Sequence, residues 1–193
     1  MSWSENIPII SWLIQKGKSR CCNKKLPFSY PLVEFFVGIL FVLNYYFGNN
    51  YFFYGEIVFL VFSFVFDLKY MILPDFSTLI LILLVLIDGQ INIFAGIGSV
   101  VFLGILYLIT KGKGMGLGDV KFAVYMGILL GWPKIVLAFY LAFIVGAIIG
   151  GLMLLVKKIS RKAVIPFGPF LIMGTIISWW WGERIIDYLV RVW

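Results

Sequence analysis

The chain has 193 residues, 62% of them hydrophobic and 13% charged, with a mean hydropathy of +1.03. A soluble domain is nearer half apolar and a quarter charged, so this composition leaves polytopic membrane protein as the class. The net charge of +7 falls in short basic clusters between apolar runs, which fits orientation in an anionic bilayer and argues against nucleic-acid binding.

Residue counts exclude further classes. The absence of histidine rules out Ser-His-Asp and Cys-His catalysis and histidine-ligated metals. The two cysteines, Cys21 and Cys22, are adjacent and cannot build a disulfide framework. Met1 to Ser11 lacks the basic start and long apolar core of a cleavable signal peptide.

Seven apolar runs follow in chain order, each read as a helix. They are Pro31 to Phe47, Phe52 to Phe66 with Glu56 near its beginning, Phe76 to Ile87, Ile91 to Thr110, Val120 to Trp132, Lys134 to Val156, and Phe167 to about Trp181. The expected fold is therefore all-α: an integral membrane bundle of about seven transmembrane helices. A short basic cytoplasmic segment, 1–30, precedes a membrane-embedded domain, 31–193. The third and fifth runs are short for a span, which implies that they reach full length through their polar ends, are tilted, or are partly buried in protein. Gly182 to Trp193 mixes charges with Trp and Tyr and reads as a segment in the interface plane. Gly146 and Gly150 on the sixth run form a GxxxG pair expected at a close helix contact.

Basic residues orient the bundle. With the N-terminus cytoplasmic, Lys16, Lys18, Arg20, Lys24, Lys25, Lys69, Lys111, Lys113, Lys121, Lys157, Lys158, Arg161 and Lys162 all lie inside. Only Lys134, Arg184 and Arg191 lie outside. That asymmetry predicts a cytoplasmic N-terminus and an external C-terminus.

Acidic residues at membrane depth are costly and need a reason. Asp67 and Asp75 bracket one cytoplasmic turn, and Asp119 ends the loop Gly114-Met-Gly-Leu-Gly-Asp119, at the same face. Asp75 and Asp119 each fit a helix cap. Asp67 closes the second helix, where the macrodipole disfavours a carboxylate, so local structure does not account for it. Two carboxyls from distant positions at one depth suit an aspartyl protease, one activating water while the other donates a proton. The opposite helix ends would separate their proton affinities. Gly114, Gly116 and Gly118 let a substrate strand approach the backbone. GMGLGD lacks the Gly-Lys-Ser/Thr ending of a phosphate loop.

Together these residues resemble the type IV prepilin peptidase (leader peptidase) family of GxGD aspartyl proteases. The resemblance rests on five segments in order: Ile7-Pro8 through Ser11 with Gly17 to Arg20; Tyr30-Pro-Leu-Val-Glu34; Asp67 with Pro74-Asp75; Gly116-Leu-Gly-Asp119-Val-Lys121; and Ile165-Pro-Phe-Gly-Pro169. It implies that Asp67 and Asp119 are the catalytic pair. It implies that Gly116 and Gly118 shape the loop, and that Lys121, Pro74, Asp75, Pro166 and Gly168 support it. The implied substrates are prepilins or pseudopilins with a short basic leader, cut at the cytoplasmic face of the bacterial inner membrane. The acidic residues able to engage such a leader include Asp75 and Glu34.

The chain departs from the family pattern in lacking its usual first helix and an intact CxxC pair, since Ser19 stands where a cysteine is expected. No metal site is expected from two adjacent thiols. Peptidase activity, which needs no cofactor, is the firmer implication. N-methylation of the new terminus with S-adenosylmethionine is tied in the family to the cytoplasmic region. Two other readings use the same acids: a GxGD protease that cuts inside a substrate's membrane span, and a small ion- or proton-coupled transporter.

Overall fold

Among the described residues the backbone is satisfied mainly within helices and not in the ladders of a sheet, as lipid requires. The computed structural model describes residues 7–19, 22–47, 50–89, 91–112, 114–156 and 165–192. Arg20, Lys113, Lys157, Lys158, Arg161 and Lys162, part of the charge pattern above, lie outside the described residues, as does Cys21. Eight helices occur among those described: α1 (Ile10–Ile14), α2 (Ser29–Phe47), α3 (Tyr51–Tyr70), α4 (Asp75–Asp88), α5 (Ile93–Thr110), α6 (Leu117–Leu130), α7 (Lys134–Leu155) and α8 (Gly168–Val192). The seven helices from α2 onward correspond to the seven apolar runs. Four of them, α2, α3, α5 and α7, are long and apolar enough to cross a membrane by themselves.

The described residues form two units, Met1–Asn50 and Tyr51–Trp193. In the first, Lys18 and Lys25, which follow α1 and precede α2, form an isolated antiparallel bridge. Glu34 of α2 accepts the Ile9 amide at 2.7 Å, so one of the acids open to a basic leader already receives a backbone donor. Trp12 packs edge-on against Phe28, with ring centroids 5.6 Å apart.

In the second unit α3 and α4 form a hairpin, α5 pairs with α6, and α7 pairs with α8. Helix α6 has only 14 residues, roughly 21 Å of rise, against a hydrocarbon core of about 30 Å. Its neighbours α4, α5, α7 and α8 resolve the mismatch by covering it, so that Phe122, Ala123, Tyr125, Met126, Leu129 and Leu130 are all buried. Inclusion of the polar end at Gly118-Asp119 brings α6 only to 14 residues, and burial within protein is the explanation for the short run that its packing supports.

Close helix approach occurs elsewhere than at the GxxxG pair. A Cβ on Gly127 of α6 would lie 2.5 Å from both the Ala95 carbonyl and Ser99 Oγ, and one on Gly174 of α8 would strike the Ala138 carbonyl of α7. Gly146 and Gly150 instead lie beneath the side chains of Phe170 and Ile165, so they make room for bulky residues and not for a neighbouring backbone. Ser99 fastens the α5–α6 crossing by donating to the Ala123 carbonyl at 2.6 Å. The stretch from Gly182 to Val192 is a continuation of α8 and not a separate interfacial segment. Its polar residues stay helical, and Glu183 pairs with Lys134 at the start of α7 at 2.7 Å.

Candidate active site

Three connections meet at one end of the second unit: residues 71–74 between α3 and α4, the glycine loop before α6, and Ile165-Pro166-Phe167 before α8. They enclose a cavity of about 1050 Å³. Asp67, Pro74, Asp75, Gly116, Gly118, Asp119, Lys121 and Pro166 all line it. Gly168 lies just behind, against Asp67. Every site residue proposed from the sequence is thus gathered at this cavity or its wall, Asp67 and Asp119 included, although 52 positions separate those two in the sequence.

Asp67 is held by α3, which continues one turn past it to Tyr70. The expectation that Asp67 closes its helix is therefore corrected: it lies inside the last turn, and its own carbonyl accepts the Met71 amide at 2.8 Å. With Asp67 helical, a boundary position no longer separates this site from a protease that cuts within a membrane span. The residue is 4% exposed, yet Oδ2 has no hydrogen-bond partner among the described residues. The Gly168 amide acts on the same carboxyl, and a Cβ at Gly168 would lie 2.5 Å from Oδ2.

Asp119 sits in the first turn of α6, which begins at Leu117 with Gly116 as its N-cap. It is therefore not the N-cap itself. Its Oδ2 reaches back to accept the Gly116 amide at 2.9 Å, the carboxylate half of a capping box. This contact ties the glycine loop to the acid, which is 6% exposed. The two carboxyls are close enough for the charge of Asp67 to act on Asp119.

Asp75 is not the N-cap, a position held by Pro74; it is the first residue of α4, where a carboxylate faces the favourable end of the helix dipole. Its carboxylate takes the Lys121 ammonium on both oxygens, at 2.8 and 2.7 Å. The pair is exposed, 54% for the Lys121 side chain and 70% for that of Asp75, so it braces α4 against α6 at the mouth of the cavity. At the α4 start Ser77 donates to the Pro74 carbonyl at 2.9 Å and Ser77 pairs with Ser63 of α3 at 2.8 Å, which fixes the Pro74 turn.

Sequence reading missed Leu73. It is 5% exposed and wedged beneath both catalytic-side glycines: a Cβ on Gly118 would meet the Leu73 Cβ at 3.1 Å, and one on Gly168 its methyls at 3.1 Å. A leucine among many leucines carries no signal of that role. Among the described residues no group of three or more His, Cys, Asp or Glu could hold a metal ion, and Cys22 is exposed.

The chain matches two family models: the bacterial peptidase A24 N-terminal domain over residues 1–47 and the type IV leader peptidase family over residues 54–151. It is similar to the prepilin leader peptidase/N-methyltransferase of Xanthomonas campestris, with 34% identity across 99% of this chain and 72% of that protein. The proteins of the same name from Legionella pneumophila and Bacillus subtilis are 32% and 29% identical, across 98% of this chain in each case and 71% and 81% of their own lengths. No solved structure matches.

Proposed function

The chain belongs to the type IV leader peptidase family, and on that premise we propose that it removes the leader of prepilin-like proteins with Asp67 and Asp119 as its catalytic pair. It is an all-α inner-membrane protease. The observation that carries the pair is the meeting of two buried carboxyls on one open cavity, one of them with an unpartnered oxygen.

Water held between the carboxyls loses a proton to one of them and adds to the scissile carbonyl. The other carboxyl protonates the departing amine, so both protons are accounted for. Gly116 and Gly118 leave the substrate backbone room to approach. The braces at Pro74, Asp75, Lys121, Pro166 and Gly168 hold the loops that carry the acids. The cavity faces the cytoplasm in this reading, with the N-terminus cytoplasmic and the C-terminus outside, supported by the basic residues at the helix ends and connections there, such as Lys69, Lys111 and Lys121.

The relatives' name includes a second activity, which uses S-adenosylmethionine. The polar donors of the cavity are carboxyls, glycine amides and one lysine, and Phe167 is its single aromatic residue among the described ones. That set suits a peptide, and the chemistry derived from this cavity is hydrolysis alone.

Purified protein in detergent, incubated with a prepilin, tests both points. Mass spectrometry of the product is expected to locate the new N-terminus at the leader boundary and to report directly whether a methyl group has been added. An intact prepilin, or an equal rate with Asp67→Asn or Asp119→Asn, refutes the paired mechanism.

A further inference from the structure

The helices that carry the two aspartates pack mainly through intermediaries: α3 lies on α4 and α8, and α6 packs on the same two helices. A side-chain hydrogen bond joins α3 and α6 directly. Tyr125 of α6 donates to Glu56 Oε2 of α3 at 2.7 Å, with Glu56 1% and Tyr125 0% exposed. Neither residue lines the aspartate cavity.

An ionisable group in this setting calls for a reason, and the helix geometry supplies one. Glu56 and Asp67 are eleven residues apart, three turns of α3, so they share a face at a separation of roughly 16 Å along the axis. Tyr125 is six residues beyond Asp119, roughly 9 Å further along α6. A tie at this point fixes the mutual height and rotation of two rigid helices whose other ends present the carboxyls. The hydroxyl and the carboxyl satisfy each other, and a tie that is directional and water-free specifies register as apolar contact does not.

We infer that Glu56 and Tyr125 form a positioning clamp that sets the spacing of Asp67 and Asp119. It rests on the peptidase reading for its effect on rate but not for its effect on geometry. Misplacement of a reacting group by about 1 Å costs on the order of 100-fold in rate. Tyr125→Phe is therefore expected to lower kcat by roughly 10- to 100-fold with KM little changed, because the cavity wall stays intact. Glu56→Gln still accepts the tyrosine proton and is expected to keep kcat within about 3-fold. The double variant Glu56→Leu with Tyr125→Phe leaves no buried group unpaired, so its Tm should recover while its kcat stays low.

A second measurement needs no substrate. With Cys21 and Cys22 changed to serine, cysteines placed at positions 67 and 119 are cross-linked by a short bifunctional thiol reagent, with and without Tyr125→Phe. A several-fold loss of cross-linking in the Tyr125→Phe background supports the clamp. Unchanged cross-linking, unchanged kcat in Tyr125→Phe, or recovery of kcat together with Tm in the double variant overturns it. Failure of the unaltered enzyme to cut prepilin would overturn the peptidase reading alone, and the cross-link would still decide the clamp.

Discussion

Replacing Gly168 with alanine perturbs the proposed chemistry through a single atom. The added Cβ would lie 2.5 Å from Asp67 Oδ2 and 3.1 Å from both Leu73 methyls. Ordinary contact needs roughly 3.5 Å, so the carboxyl oxygen must retreat by about 1 Å. Leu73 cannot absorb the difference, because it is itself 5% exposed and pressed against Gly118 on its other side. A displacement of that size at a catalytic group costs on the order of 100-fold, equivalent to about 2.7 kcal/mol of barrier. The variant is expected to insert and fold, with kcat for prepilin cleavage down about 100-fold. The assay is single-turnover cleavage by purified enzyme in detergent, with the product quantified by mass spectrometry and folding checked by thermal unfolding. Wild-type kcat in a folded Gly168→Ala enzyme would refute the placement of Asp67 at the centre of the reaction.

Other consequences follow from the same geometry. Asp67→Asn and Asp119→Asn should each abolish leader removal while membrane insertion, followed by fractionation, is unaffected. Because the two carboxyls sense each other's charge, the wild-type rate should trace a bell-shaped pH profile whose limbs belong to the pair; a rate flat across the whole range would contradict shared titration. Gly127→Ala should destabilise by about 1–3 kcal/mol, since its Cβ meets backbone that has no room to yield, and a lowered Tm of roughly 5 °C in detergent would register it. Asp75→Asn removes an exposed ion pair worth at most about 1 kcal/mol, so its Tm should change by less than about 3 °C.

The bundle was legible because lipid enforces a simple code. Apolar runs between charges can only be helices there, and α2 through α7 begin and end within a few residues of the runs that announce them. The aspartates stood out for the complementary reason: in a chain with nine acids, each one near an apolar run is conspicuous. What stayed hidden depends on partners supplied by the fold. Asp75 carries the sequence marks of a helix cap, and only the α4–α6 packing shows that Lys121 takes it. Gly146 and Gly150 have the spacing of a dimer motif, but the close crossings use Gly127 and Gly174, where the facing residue is small enough. Glu56 was visible as an acid at the start of a run. Its tyrosine lies 69 positions away, and nothing local connects the two.

The shortness of α6 also bears on how this protein meets different lipids. Sheathed by protein on nearly every side, the helix that bears Asp119 is insulated from acyl-chain length. Mismatch between bundle and bilayer falls on the longer outer helices, which can tilt at modest cost. Turnover in nanodiscs of thin and thick lipids should consequently vary little, as long as the outer ring accommodates the change and its innermost member is left undisturbed.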